Sequence, residues 1–168
     1  MRIGLLSDTH GFLDEAVFSY FAECDELWHA GDFGSSDVLD RLEEFKPIRG
    51  VYGNVDGAQI RAELPADLAW ECEGIRVYMT HIGGYPGNYD ARAKKELLQR
   101  RPDLFVCGHS HILKVARDTA LGCVYMNPGA CGHSGWHKVR TLLRFTVEAG
   151  KISAAEAIEL GPRGRNHR

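Results

Sequence analysis

The sequence predicts an α/β protein in which two packed β-sheets are covered by helices. Short apolar or β-branched runs alternate with segments of helical periodicity, and the helical segments lie in the first two-thirds of the chain. From Leu113 onward the apolar period shifts towards two, which indicates a run of mainly antiparallel strands. This order fits a layered sandwich better than a single doubly wound sheet.

The N-terminal segments alternate between the two periodicities. Arg2–Leu6 is a short apolar run and is predicted as the first strand. Residues 13–24 carry apolar side chains at helical spacing, and residues 37–45 do the same. The apolar runs at 26–30 and 48–52 are predicted as the second and third strands.

The middle of the chain begins with a predicted pair of neighbouring strands. Residues 64–73 and Ile75–Thr80 are strand-like and are joined by a Glu-Gly turn. Ala91–Arg100 has the spacing of an amphipathic helix with a polar face. Residues 104–107 form a short apolar run, which predicts a buried strand.

The C-terminal third is predicted as strands followed by a tail. The period-two segments are residues 114–118, 123–126, 141–147 and 152–158. Residues 161–168 are basic, contain Gly and Pro and lack apolar periodicity, so a disordered tail is expected there. With 168 residues and 44% hydrophobic composition, the chain is expected to form a single domain over residues 1–160.

Charge and composition exclude several classes of protein. The formal net charge is −3, so no global basic field favours general binding to nucleic acid or to an anionic membrane. The N-terminus lacks a signal-peptide pattern, and no apolar stretch approaches a membrane span. The sequence therefore predicts a cytoplasmic protein without a membrane partner, and it is compatible with a homo-oligomer.

The five cysteines predict reduced thiols. Their number is odd and no CxxC pair occurs, which argues against a disulfide framework and against a structural zinc site. Most are expected to be small buried hydrophobic side chains.

Five apolar runs end abruptly in Asp, Asn or His. These are IGLLSDTH, ELWHAGD, VYGNVD, VYMTH and LFVCGHSH. Functional side chains in α/β sheets gather at the carboxyl ends of strands, so five such ends can direct their side chains at one point. The spacing of two within the first and last runs predicts that both members of each pair lie on the same side of an extended backbone. The candidate ligands are Asp8, His10, Asp32, Asn54, His81, His109 and His111.

The chemistry of this set predicts a two-metal site. Two carboxylates, one amide oxygen and four imidazoles without a thiolate suit Mn, Fe, Zn, Ni or Co better than Ca. Seven ligands exceed one tetrahedral shell but suffice for two adjacent cations if a carboxylate bridges them. Asp32, isolated after Gly31, is the natural bridge. The resulting positive charge would attract a phosphate anion even on an acidic protein.

The chain carries an ordered set of motifs that resembles the calcineurin-like metallophosphoesterase superfamily, particularly its small bacterial and archaeal phosphodiesterases. The motifs are DTH, GD, GNVD, the histidine at 81, GHSH and NPGA. The resemblance covers positions 1 to 132 and implies a four-layer αββα sandwich of two mixed sheets flanked by helices. It implies Asp8, His10 and His111 on the first metal, Asn54, His81 and His109 on the second, and Asp32 between them. Manganese is the expected metal, with Ni, Co, Zn, Fe and Mg as alternatives.

The resemblance also implies hydrolysis of a small phosphate-ester substrate by in-line attack of a metal-bridging hydroxide, with Asp32, Asn54 and His81 as catalytic residues. Many relatives have GNH where this chain has Val55, and that histidine assists the leaving group. Valine cannot donate a proton, which favours a phosphodiesterase. Two alternatives are a small-molecule phosphomonoesterase and a protein-binding scaffold similar to the retromer subunit of this fold.

Three further histidines lie outside the predicted ligand set. His29 lies within a strand and is expected to be a core residue or to support a ligand. His133 and His137 follow the NPGA segment, where they could be ordinary loop residues or could touch substrate. Residues 83–89 are expected to form a turn, with a substrate-gating role as the alternative.

Overall fold

The computed structural model describes residues 1–164, and residues 165–168 lie outside the described part. In chain order the strands are β1 (Arg2–Leu6), β2 (Glu26–His29), β3 (Ile48–Gly50), β4 (Asp67–Cys72), β5 (Ile75–Thr80), β6 (Gly84–Tyr85), β7 (Asn88–Tyr89), β8 (Leu104–Val106), β9 (Leu113–Asp118), β10 (Cys123–Pro128), β11 (Val139–Glu148) and β12 (Lys151–Pro162). The helices are α1 (Ala16–Tyr20), α2 (Ser36–Phe45), α3 (Ala58–Glu63) and α4 (Ala91–Arg100). Within residues 1–164, no helix is long and apolar enough to cross a membrane.

Two five-stranded mixed sheets form the framework. Their strand orders are β12-β11-β1-β2-β3 and β4-β5-β8-β10-β9, and β6 pairs with β7 separately. β1, β2 and β3 run parallel in the first sheet, as do β5 and β8 in the second. These five strands precede the candidate ligands, so their carboxyl ends bring those ligands to one edge of the sandwich.

Three apolar layers hold the sheets and helices together. Between the sheets, the Trp28 ring packs edge-on against Trp70 at 4.8 Å and against Phe145 at 5.5 Å between centroids. Side chains of α1, α2 and α3 cover the outer face of the first sheet, and α4 covers the second sheet through Ala93 and Leu97. The order helix, sheet, sheet, helix confirms the predicted four-layer αββα sandwich.

The helical segments differ from the predictions in two places. The predicted helix at 13–24 is reduced to α1, because Asp14 accepts the Ala16 N–H at 2.9 Å and the Cys24 N–H returns to the Phe21 carbonyl. α3 was not predicted, since its six residues bury only one apolar side chain, Ile60. The two-residue strands β6 and β7 are too short to leave a periodic signal.

The C-terminal strand corrects the predicted domain boundary. β12 continues through Pro162, and Gly161 and Pro162 pair with Arg140 and Val139 of β11. This last part of β12 has no apolar periodicity. It is held by backbone hydrogen bonds and by the Arg140 guanidinium, which donates to the Leu160 carbonyl at 3.2 Å. The predicted tail at 161–168 therefore starts too early, and its last four residues lie outside the described part.

All five cysteines are free and buried, as the sequence predicts. They are Cys24, Cys72, Cys107, Cys123 and Cys131. Burial raises the pKa of the Cys131 thiol to about 12, which keeps that side chain protonated at neutral pH.

Candidate metal centre

The seven predicted ligands converge at the carboxyl ends of strands from both sheets. Their positions are Asp8 and His10 after β1, Asp32 after β2, Asn54 after β3, His81 after β5, and His109 and His111 after β8. The first sheet thus supplies four ligands and the second supplies three. A cation at this edge would therefore be bound by side chains from both sheets.

Asp8, His10 and His111 form the first ligand group. The Asp8 Oδ1 lies 3.2 Å from His111 Nε2 and 3.8 Å from His10 Nε2. The two Nε2 atoms are 3.3 Å apart and face the same point. These three donors can hold one metal ion together.

Asp32, His81 and His109 form the second ligand group, with ligand atoms within 4.8 Å of one another. The Asp32 Oδ2 lies 3.1 Å from His81 Nε2. The Asn54 Oδ1 also lies 3.1 Å from that nitrogen, so the predicted amide ligand joins this group.

Asp32 faces both groups with one carboxylate oxygen. Its Oδ2 lies 3.8 Å from His10 Nε2 in the first group and 3.1 Å from His81 Nε2 in the second. Its Oδ1 accepts the Val55 N–H at 3.0 Å, which fixes the rotation of the carboxylate. This placement suits a bridging ligand.

Asp8 carries a buried oxygen that the chain itself does not satisfy. The Oδ2 accepts hydrogen bonds from Ser7 Oγ at 2.6 Å and from the His109 N–H at 3.1 Å. The Oδ1 is buried and has no hydrogen-bond partner among the described residues. Such an atom is costly unless a cation compensates it, so the donor set fits a metal ion.

Histidine protonation at the centre follows from burial and charge. Burial lowers the pKa of His10 and of His109, which leaves these imidazoles neutral and able to bind a cation. Burial also acts to lower the pKa of His81, but the hydrogen bond to Asp32 and the charge of Asp8 outweigh it and raise the pKa. The His81 Nδ1 lies 2.7 Å from the Ala30 carbonyl and donates to it, which directs Nε2 at the centre.

The backbone at most ligands is left-handed, not extended. The φ values are 55° at Asp8, 50° at His10, 60° at Asp32, 66° at His109 and 59° at His111. The premise that the paired ligands share one side of an extended backbone is therefore wrong, although their side chains do converge. Left-handed non-glycine residues cost about 1–3 kcal/mol each, and such strain clusters at functional sites.

Two glycines leave the space that the ligands occupy. A Cβ on Gly31, which has φ +98°, would lie 2.6 Å from the His81 Nδ1. A Cβ on Gly108 would lie 2.9 Å from the Asp8 Oδ2 and would collide with Ser7. Both positions therefore serve the close approach of ligands as well as the turn itself.

Asp56 organises the centre and was not predicted to do so. Its carboxylate accepts N–H groups from Asp32 at 3.0 Å, Gly53 at 2.8 Å and Gly34 at 2.8 Å. It therefore ties the loop after β2 to the loop after β3. The only signal in the sequence is a carboxylate two residues beyond Asn54, in the GNVD motif.

His29 is a core residue that supports the loops, as the sequence predicts. The side chain is fully buried, and its ring stacks on Phe33 at 3.6 Å between centroids. Its Nδ1 accepts the Gly31 N–H at 3.1 Å, and its Nε2 lies 3.1 Å from Thr9 Oγ1. Burial lowers the pKa of His29 to about 3, so the ring is neutral.

His133 and His137 belong to neither ligand group. The His137 ring lies 5.2 Å from the His111 ring, and its Nε2 donates to the Gly132 carbonyl at 2.9 Å. The His133 ring packs on Phe12 at 4.0 Å. The segment that carries them borders the first group through His137.

Comparison with known proteins identifies relatives over most of the chain. Residues 1–150 match the model of the calcineurin-like phosphoesterase superfamily domain. A probable metallophosphoesterase of Methanothermobacter thermautotrophicus is 33% identical over 137 residues, which cover 77% of each chain. A phosphodiesterase of Methanocaldococcus jannaschii is 24% identical over 149 residues, covering 78% of this chain and 84% of the relative.

Solved structures share the same fold at lower identity. Vps29 of Entamoeba histolytica complexed with Zn²⁺ has a TM-score of 0.75 at 14% identity, covering 98% of this chain and 100% of that one. A protein of Thermotoga maritima has a TM-score of 0.70 at 23% identity, covering 95% and 99%. The family model and the archaeal relative at 33% identity establish that the chain belongs to the calcineurin-like phosphoesterase superfamily.

Proposed function

We propose that this protein is a metal-dependent phosphodiesterase that hydrolyses a small phosphate diester by in-line attack of water. The observation that carries the proposal is the pair of ligand groups that share Asp32, beside the unpartnered Oδ1 of Asp8. The M. jannaschii relative is named a phosphodiesterase, which supports the same reaction class.

The seven side chains are proposed to hold two divalent cations. Asp8, His10 and His111 would bind the first and Asn54, His81 and His109 the second, with Asp32 shared. Divalent cations bound there would supply a lowered pKa for the attacking water and charge neutralisation for the phosphoryl oxygens. Mn²⁺ is proposed as the preferred ion over Ni, Co, Zn, Fe and Mg, all of which this mixture of nitrogen and oxygen donors accepts.

Three residues carry the proposed catalytic roles through their own contacts. Asp32 balances charge at both positions with its Oδ2. The Asn54 Nδ2 has no hydrogen-bond partner in residues 1–164 and is available to donate to a phosphoryl oxygen. His81 is held by the Ala30 carbonyl, so its Nε2 keeps a fixed direction during turnover.

Val55 supports a diester over a monoester. Its side chain is 48% exposed and offers no proton to a departing alkoxide. The scaffold alternative rests on fold likeness to Vps29 alone, and a scaffold does not need seven converging ligands.

The test is a matrix of metals and substrates. Protein stripped of metal is incubated separately with Mn, Ni, Co, Zn, Fe or Mg and assayed with bis-nitrophenyl phosphate and nitrophenyl phosphate. The expected result is metal-dependent hydrolysis with the diester preferred. Faster turnover of the monoester, or no hydrolysis with any metal, would overturn the proposal.

A further inference from the structure

An open cavity adjoins the second ligand group. It has a volume of about 360 Å³, and the residues that matter here are Tyr52, Asn54, Arg61, His81, Ile82 and Arg92. We call it the arginine cavity. Because Asn54 and His81 belong to both the cavity wall and the ligand group, a phosphate at the centre would place one of its substituents here.

Arg61 gives the arginine cavity an unneutralised charge. Its Nε donates to the Asp56 carbonyl at 2.6 Å, and its Nη2 donates to the Gly53 carbonyl at 3.2 Å. The guanidinium lies over the Tyr52 ring at 4.4 Å. No carboxylate of the described chain pairs with it, so a rigidly held cation faces the cavity.

Arg92 supplies a second guanidinium from the first turn of α4. Its Nη2 donates to Asp67, whose other oxygen accepts the Tyr78 hydroxyl at 3.1 Å. The Nε and Nη1 of Arg92 have no partner among residues 1–164. With two guanidiniums against one carboxylate, the cavity keeps a net positive charge and free donors.

We propose that the arginine cavity binds the organic substituent of the diester and that this substituent carries a second anion, a carboxylate or a phosphate. Guanidinium donors match both oxyanions in a bidentate manner. Ile82, which is 39% exposed, offers apolar contact to the linking carbons. This inference rests on the proposed function for the orientation of the scissile phosphate.

Binding of non-hydrolysable probes tests the arginine cavity without turnover. The Mn²⁺-loaded protein is titrated by calorimetry with propylphosphonate, 3-phosphonopropionate and 1,2-ethylenediphosphonate, of which the last two carry a second anion. At least one dianionic probe is expected to bind on the order of tenfold to a hundredfold more tightly than propylphosphonate. Whichever of these two probes binds more tightly shows whether the cavity prefers a carboxylate or a phosphate as the second anion.

Arg92→Gln is expected to remove most of that preference, and Arg92→Lys to retain part of it. Arg100→Gln is the matched control, because Arg100 lies on the same helix, pairs with Glu96 at 2.7 Å and does not line this cavity. It should leave all three affinities unchanged. Equal affinities in the native protein, or a preference that survives Arg92→Gln, would overturn the inference. Retained preference without diester hydrolysis would instead reject the proposed function alone.

Discussion

At the scale of single residues, Asp32 is the carboxylate that is proposed to be shared by the two ligand groups. One of its oxygens faces both ligand groups, and the other is held by the Val55 amide. Asp32→Ala is therefore expected to abolish turnover and to weaken metal binding at both positions by more than roughly 100-fold. Metal content after dialysis and diester turnover are the measurements.

The control for that substitution is Asp40→Ala, which removes an exposed carboxylate from α2. It should leave metal content and turnover unchanged. Asp32→Ala with normal occupancy of both positions and a near-normal rate would rule out a bridging role for Asp32.

Position 55 carries no side chain that can donate a proton to the leaving oxygen, and a substitution there tests whether this favours diesters. Val55→His is expected to raise turnover of alkyl phosphomonoesters relative to bis-nitrophenyl phosphate, because an alkoxide needs a proton and nitrophenolate does not. A positioned general acid typically contributes 10²- to 10⁴-fold, which sets the upper range of the change. The ratio of kcat/KM values for the two substrates is the measurement.

Two observations define how that variant is interpreted. Val55 is 48% exposed, so a larger ring has room, whereas Asp56 is already engaged by three backbone amides and is not free to orient it. Metal content must equal that of the native protein. If the new imidazole reaches the substrate and the ratio stays constant, Val55 does not explain a diester preference.

At the scale of elements, the loop after β8 divides its two histidines between the ligand groups. His111 lies with Asp8 and His10, whereas His109 lies with Asp32 and His81. His109→Ala and His111→Ala are each expected to lose most activity while emptying different positions. Crystal structures of the Mn²⁺-soaked variants check this, and loss of the same ion in both would contradict it.

The loop after β3 offers a matched pair of glycines. A Cβ on Gly53 would collide with Asp32, whereas a Cβ on Gly57 would meet nothing within 4 Å. Gly53→Ala is expected to lower the free energy of unfolding by about 1–3 kcal/mol and to weaken metal binding, because the Asp32 carboxylate must shift. Gly57→Ala should change neither. Urea unfolding and metal titration measure both effects, and equal behaviour of the two variants would contradict the steric argument.

The elements that the sequence predicts best are those with strong apolar periodicity. Ile75–Thr80 and Ala91–Arg100 match their predicted bounds, and the strand ends correctly indicate where the candidate ligands meet. α3 and the role of Asp56 were missed, because they depend on contacts between loops and not on local periodicity. The left-handed backbone at Asp8 was missed for the same reason, since the Asp8 N–H donates to the Gly31 carbonyl and the Asp8 carbonyl accepts the Gly132 N–H, both from other loops.

At the scale of the whole molecule, the candidate centre joins two sheets whose facing surfaces are mainly apolar. Ligands from both sheets surround the unsatisfied Asp8 Oδ1, so bound cations should stabilise the folded state. With metal at 100 times its Kd, the gain is about 2.7 kcal/mol, or a rise in Tm of roughly 5–10 °C. Scanning calorimetry with Mn²⁺ and with a chelator measures it. Identical Tm values would favour a scaffold over a metal-dependent enzyme.

The hydrogen bond between the His109 N–H and the Asp8 Oδ2 joins residues 101 positions apart. β1 likewise lies between β2 and β11, so one of its two neighbours, Val139–Glu148, is synthesised long after it. Closing such long loops is slow, and contacts of this separation form late in folding. A nascent chain therefore holds Asp8 and His10 without their partners while the ribosome completes the second sheet. A metal ion held by Asp8 together with the loop after β8, as proposed, would therefore bind only after that loop has been synthesised and folded.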